Sequence, residues 1–226
     1  MNSNPEKNHT ICNVVVLISG GGTNLQAIID GQKNGDLPIQ INAVISNRPN
    51  VKGLNRAAQA GIKTETLDHK NFSDRKTFDE ALIAIIDQHS PDLIVLAGFM
   101  RILTPEFVAH YLGKMINIHP SLLPKYPGLH THQRAIDAGD KEHGVTVHFV
   151  TEELDGGPPI LQAKVPIVDG DDPDSLAQRV LVQEHVIYPL AIKWFAQEKL
   201  HLKNGKTYLD NELLASNGHL IDTTVR

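Results

Sequence analysis

Ile11-Cys12-Asn13-Val14-Val15-Val16-Leu17-Ile18 runs into Ser19-Gly20-Gly21-Gly22-Thr23-Asn24 and then into Leu25-Gln26-Ala27-Ile28-Ile29-Asp30. The first segment is an unbroken apolar, β-branched run, the pattern of a strand buried on both faces. The third has helical spacing, with Thr23 or Asn24 as its N-cap. A strand, a glycine turn and a helix place backbone N–H groups and a helix N-terminus where an anion can sit. The dinucleotide fingerprint fails, because Leu25 occupies the third glycine position, and there is no Gly-Lys-Ser/Thr of a nucleoside-triphosphate loop. A single phosphate monoester fits this turn better than a pyrophosphate, and a turn without a ligand is the plain alternative.

The alternation continues outward from this unit. Residues 41–46 read as a strand, 54–60 as a helix stopped at Gly61, and 63–67 as a short strand. Residues 73–88 read as a helix begun at Ser73, with Phe78, Leu82, Ile85 and Ile86 along one face. Pro91 opens a strand over 92–97, which ends in Gly98-Phe99-Met100-Arg101-Ile102-Leu103. Thr104-Pro105-Glu106 starts a helix with proline at its first position. Met115-Ile116-Asn117-Ile118-His119 is the fifth strand, closed by Pro120. Five strands separated by helices predict an α/β fold with a single doubly wound, mostly parallel sheet flanked by helices. In such sheets ligands bind beyond the carboxyl ends of the strands, where the glycine loop, residues 98–103 and residues 117–119 all lie.

The second half reads differently. Tyr126 to His132 is a His-rich turn, and residues 133–138 form a short helix stopped by Gly139. Strands over 144–150 and 160–168 are expected to pair antiparallel, joined by Thr151-Glu152-Glu153-Leu154-Asp155-Gly156-Gly157-Pro158-Pro159. Residues 174–197 form a long amphipathic helix that Pro189 kinks or splits in two. Asn204-Gly205 carries a type I′ hairpin signal within 201–209. Residues 1–10 are expected to be a disordered extension, 11–209 one domain, and 210–226 a weakly patterned tail.

The chain of 226 residues is long enough for one large core, and its formal charge of −5 argues against general binding to nucleic acid or anionic membrane. Cys12 is the single cysteine, which excludes an internal disulfide, and its apolar strand makes packing its expected role. No apolar run reaches a membrane span and no signal segment opens the chain, so a cytoplasmic address is expected. Asn117 and His119 lie two apart on a strand and point to one side. An amide can donate to an oxygen gaining negative charge, and an imidazolium can do so or pass a proton. A carboxylate from Asp155 placed near His119 favours the imidazolium. Together the three make an acyl-transfer site without a protein nucleophile, since Ser121 lacks the Gly-x-Ser-x-Gly elbow. His130, His132, His143 and His148 could be weighed as zinc ligands, but no carboxylate–histidine helix motif accompanies them. Hydrogen bonding in the cleft is expected of His132 and His148, and solvation of the others. Trp194 and Phe195 are expected in the core or an interface.

Several segments together resemble the folate-dependent glycinamide ribonucleotide transformylases. They are residues 15–20, 23–29, Val95-Leu96-Ala97-Gly98-Phe99-Met100-Arg101-Ile102-Leu103, Asn117-Ile118-His119-Pro120-Ser121-Leu122-Leu123-Pro124, 147–150 and Leu154-Asp155-Gly156-Gly157-Pro158. The resemblance extends from Asn13 to Trp194, with Gly21 standing where a polar residue is expected in many members. It implies a formyltransferase-like fold with a Rossmann-type first half and antiparallel strands in the second. It implies formyl transfer from 10-formyltetrahydrofolate, as co-substrate and without a metal, to the amine of 5-phosphoribosylglycinamide in purine biosynthesis. Carried over, Gly22, Thr23, Asn24, Leu25, Gln26 and Glu184 hold the ribonucleotide. Arg75, Met100, Arg101, Ile102, Leu103 and Asn117 hold the folate, with the loop around Asp155. Asn117 and protonated His119 stabilise the tetrahedral intermediate, and Asp155 keeps His119 charged and relays a proton. The partners implied are small molecules only, with the chain a monomer or homodimer. A formyltetrahydrofolate deformylase is the alternative; its family carries an extra N-terminal domain. A methionyl-tRNA formyltransferase shares the strand-end motif but needs an added C-terminal RNA-binding domain.

Overall fold

The computed structural model describes residues 11–221, so the expectation of disorder over 1–10 lies outside the described residues, as does the end of the tail. The strands are β1 Cys12–Ile18, β2 Ile39–Ser46, β3 Thr64–Thr66, β4 Leu93–Leu96, β5 Met115–His119, β6 Glu142–Phe149, β7 Pro159–Pro166, β8 Leu200–Lys203, β9 Lys206–Leu209, β10 Glu212–Leu213 and β11 His219–Ile221. The helices are α1 Thr23–Lys33, α2 Lys52–Gln59, α3 Arg75–Asp87, α4 Pro105–His110, α5 Thr131–Asp137 and α6 Pro173–Ala196.

Eight strands form the main sheet in the order β11-β7-β6-β5-β4-β1-β2-β3. From β3 to β5 every pairing is parallel, whereas β6 lies antiparallel to both β5 and β7. The expected doubly wound, mostly parallel sheet with an antiparallel second half is what the chain forms. Alternate residues feed two cores, as the period of an extended chain requires. Val14, Val16, Ile18, Leu93, Val95, Ile116 and Ile118 pack with residues of α1 and α6 on one face. Val15, Leu17, Ile94, Leu96 and Met115 pack with Phe78, Leu82, Phe107 and Val108 of α3 and α4 on the other. Chain order reverses about β1, which lies between β4 and β2, and that reversal opens a crevice at the carboxyl ends.

Three local expectations are corrected. Helix α1 is capped by Gly22 at φ 72° with no side-chain cap, rather than by Thr23 or Asn24. The reason is close packing: a Cβ on Gly22 would lie 2.7 Å from the Cα of Gly53. Helix α3 takes Asp74 as its cap, accepting from the Thr77 N–H at 2.8 Å, in place of Ser73. Of the two readings of Pro189, a kink or a split, the split does not occur, since α6 runs through it as one helix. Its neighbours Ile187, Tyr188, Ala191 and Ile192 are fully buried, and the Tyr188 hydroxyl donates to the Leu96 carbonyl at 2.7 Å. Last, the stretch after 209 is not patternless: β10 extends the β8–β9 hairpin and β11 adds a parallel edge strand beside β7. The hairpin is of the expected kind, with Asn204 and Gly205 at φ 52° and 69°. Trp194 and Phe195 pack against the first core, and Cys12 is buried in it. Among the described residues no helix is long and apolar enough to cross a membrane.

Candidate active site

The antiparallel turn of the sheet at β5–β6 creates the site. Asn117 lies opposite His148 and His119 opposite Thr146, so these side chains share one face. Asn117 Nδ2 is 3.2 Å from His148 Nε2, and His148 Nδ1 donates to the Phe149 carbonyl at 2.8 Å. The carbonyl contact fixes the proton on Nδ1, so Nε2 accepts and the Asn117 amide keeps a second N–H to give. Burial pushes His148 down to about 4, which keeps the ring neutral. The chain after β5 is held over this face by Thr146, whose hydroxyl donates to the Ser121 carbonyl at 2.6 Å, and by Gln162, which donates to the Leu123 carbonyl at 2.8 Å.

Asp155 arrives from the loop between β6 and β7. Its Oδ2 lies 3.4 Å from His119 Nδ1 and accepts from the Gly128 N–H at 2.9 Å. Its Oδ1 is 3.8 Å from His148 Nε2. His119 Nε2 donates to the Tyr126 carbonyl at 2.9 Å, so both ring nitrogens face oxygen atoms. The loop reaches this position because Gly157 passes against the sheet; a Cβ there would collide with the Phe149 carbonyl oxygen. Asp155 therefore lies against His119 and His148, and Asn117 against His148.

A cleft open to solvent extends from Asn117, His148 and Asp155 between walls of Leu96, Phe99, Ile102, Leu103, Val108, Val150 and Leu154. Arg101 also lines it, with its guanidinium 4.4 Å from the Phe78 ring centroid and a buried Nε that has no partner. Apolar walls for a flat ring system, convergent polar groups at the base and an unsatisfied donor suit a heteroaromatic ligand. Arg75, exposed at the start of α3, and Met100, 61% exposed, lie outside this lining.

The glycine loop continues β1 at the carboxyl-end edge of the sheet. Asn24 Nδ2 donates to Glu184 Oε2 of α6 at 2.6 Å, while burial pushes the Glu184 carboxyl above its ordinary range. Asn24 Oδ1 is buried with no partner. Gln26 and Gly21 are tied to Arg56 of α2, whose guanidinium donates to Gln26 Oε1 at 3.1 Å and to the Gly21 carbonyl at 2.9 Å. Leu25 turns its side chain wholly into the core, so its backbone alone can face the loop.

The pattern that defines the formyl transferase family matches residues 12–192. The chain belongs to that family. It is 56% identical over 210 residues to a phosphoribosylglycinamide formyltransferase of Escherichia coli (strain K12), covering 93% of this chain and 99% of the relative. The enzyme of that name from Haemophilus influenzae is 53% identical, over 91% and 97% of the two chains. A solved phosphoribosylglycinamide formyltransferase from Coxiella burnetii superposes with a TM-score of 0.91 at 53% identity, over 94% of this chain and all of the other.

Of this formyl transferase's site residues, His148 was expected only as a hydrogen-bonding side chain of the cleft, and Arg56 was not expected in the site at all. His148 is two residues from Thr146 on one strand face, a visible signal, but its pairing with Asn117 depends on a register set 31 residues away. Arg56 is a lone cation in a helix pattern, and nothing local marks it as facing the glycine loop. One bland expectation also fails: His143 is 1% exposed, not solvated, with its Nε2 3.2 Å from His132 Nδ1. Burial pushes it down to about 4. Among the described residues no group of three or more His, Cys, Asp and Glu side chains is arranged to hold a metal ion.

Proposed function

We propose that the protein transfers a formyl group from 10-formyltetrahydrofolate to the amine of 5-phosphoribosylglycinamide, giving formylglycinamide ribonucleotide and tetrahydrofolate in purine biosynthesis. The observation that carries the reading is the Asn117–His148 and His119–Asp155 constellation at the base of an apolar-walled cleft, beside a glycine loop capped by a cation. The relatives named above are called formyltransferases, and none of those names supports the deformylase alternative.

The folate donor supplies the formyl carbon and a nitrogen leaving group. Leu96, Phe99, Ile102, Leu103, Val108, Val150 and Leu154 supply the apolar bed for its ring system, and Arg101 a donor. Backbone N–H groups of residues 22–25 with Arg56 hold the ribonucleotide phosphate, with the Gln26 side chain held beside them by Arg56, and Glu184 with Asn24 holds its ribose or amine side. The free Asn117 N–H donates to the formyl oxygen as the amine adds and charge collects there. His119 supports that charge electrostatically and stays paired with Asp155. The amine nitrogen forms its bond to the formyl carbon and loses a proton toward Asp155; the bond from the donor nitrogen to that carbon breaks, and the donor nitrogen regains a proton. No protein nucleophile takes part. The chain acts in the cytoplasm on small molecules as a monomer or homodimer, without a metal.

The test is an absorbance assay with 10-formyltetrahydrofolate, with and without 5-phosphoribosylglycinamide. Turnover that requires the ribonucleotide supports the transferase. Equal turnover without it makes the protein a deformylase and overturns the reading.

A further inference from the structure

We propose that Ser19 is a positioning residue whose buried hydroxyl ties the glycine loop to the cleft wall and so holds the two substrates at one separation. The inference rests on the functional reading above for the occupants of the two sites. It rests on geometry for the link itself.

Strand order places the carboxyl ends of β4, β1 and β2 side by side. Ser19 follows β1, Asn47 follows β2, and Met100 lies in the segment after β4. The Ser19 hydroxyl donates to Asn47 Oδ1 at 2.5 Å and accepts from the Met100 N–H at 2.8 Å. The Asn47 carbonyl in turn accepts from His69 Nδ1 at 2.8 Å, just beyond β3. One chain of hydrogen bonds thus crosses the ends of four adjacent strands. Ser19 and Asn47 are 3% and 2% exposed, and neither lines the cleft. Their effect passes through their neighbours: Ser19 leads directly into residues 20–22, and Met100 directly into Arg101, Ile102 and Leu103 of the cleft wall. A hydroxyl serves both partners because it is donor and acceptor at once. An alanine leaves the Met100 N–H and Asn47 Oδ1 unpaired and the two loops free to shift independently.

The experiment is steady-state kinetics on the full chain with both substrates varied. Ser19→Ala is expected to lower kcat by roughly 10- to 100-fold, the scale of a misplacement near 1 Å, and to raise both KM values. The thermal midpoint is expected to fall by only a few degrees. Asn47→Ala gives the same pattern, and the double variant is no worse than the more affected single one. Ser19→Cys, close in size and a weaker hydrogen-bonding group, takes the place of the alanine variant if that fails to fold. Turnover within twofold of wild type, or a change in one KM alone, overturns the link. If wild-type protein shows no ribonucleotide-dependent turnover, the functional reading fails instead. The link is then decided by amide exchange at Met100, which Ser19→Ala accelerates if the bond positions the loop and leaves unchanged if it does not.

Discussion

Asn117 shows how much one side chain depends on another. Its amide is useful because His148, neutral and buried, accepts one N–H and leaves the other for the cleft. Asn117→Ala, His119→Ala and Asp155→Ala are each expected to lower turnover by about 10²–10³-fold, the scale of a lost oxyanion donor. Stopped assays at saturating substrate read this, and near-normal turnover in Asp155→Ala would remove that carboxylate from the mechanism. His148→Phe keeps the buried ring volume but removes the acceptor. A fall in kcat of about 10-fold, with folate binding retained by calorimetry, is the expected result; an unchanged kcat would mean that the amide orients without it. Asn117 and His119 were legible because a strand's period of two is local. His148 was legible as a hydrogen-bonding residue of the cleft, but its partner was not, because cross-strand register supplies it.

At the scale of elements, glycines mark where backbone passes backbone. Gly157→Ala places a methyl group on the Phe149 carbonyl, so the loop carrying Asp155 must move or the sheet must open. A loss of about 1–3 kcal/mol in urea unfolding is expected, the cost of overpacking, together with a loss of activity. Gly22→Ala meets both a φ of 72° and the Gly53 backbone. It is expected to weaken ribonucleotide binding far more than folate binding, as titration of each ligand alone would show. The sequence signal Ser19-Gly20-Gly21-Gly22-Thr23-Asn24 located this turn correctly. It misplaced the cap, because the glycine's contact partner, Gly53, belongs to another helix. Pro189 is a related case: propensity alone leaves a kink or a split open, and burial of its flanking residues in the first core holds α6 together as one helix.

For the whole molecule, pH enters through buried histidines. His143 and His148 have ordinary values of 6.5 and folded values of about 4, lowered first by burial. The unfolded chain therefore takes up these protons first, so their contribution to stability is present above about pH 6.5 and is lost as pH falls toward 4. Urea midpoints are expected to drop between pH 7.5 and 5, and His143→Gln to flatten that slope; a parallel slope in the variant would place the effect elsewhere. The chain after Leu209 also acts at this scale. Residues 219–221 cover the edge of β7, and Gly218 lies against the Ile160 backbone, where a Cβ would come within 2.8 Å. Truncation after Leu209 is expected to lower the thermal midpoint by several degrees with the cleft intact, checked by scanning calorimetry and residual kcat.

The sequence by itself determined the alternation of strands and helices, the glycine turn, the polar pair at the end of β5 and the hairpin at Asn204-Gly205. Each depends on periodicity or turn chemistry over a few neighbouring residues. Only the tertiary structure decided which groups meet: Asn117 with His148, Arg56 with the glycine loop, Asn24 with Glu184, Ser19 with both Asn47 and Met100, and β11 with the edge of β7. Those meetings depend on strand order and register, which are set by the burial of two cores at once. No local stretch of chain carries that information, because a contact's energy is gained only when both partners are brought to the same edge of the sheet.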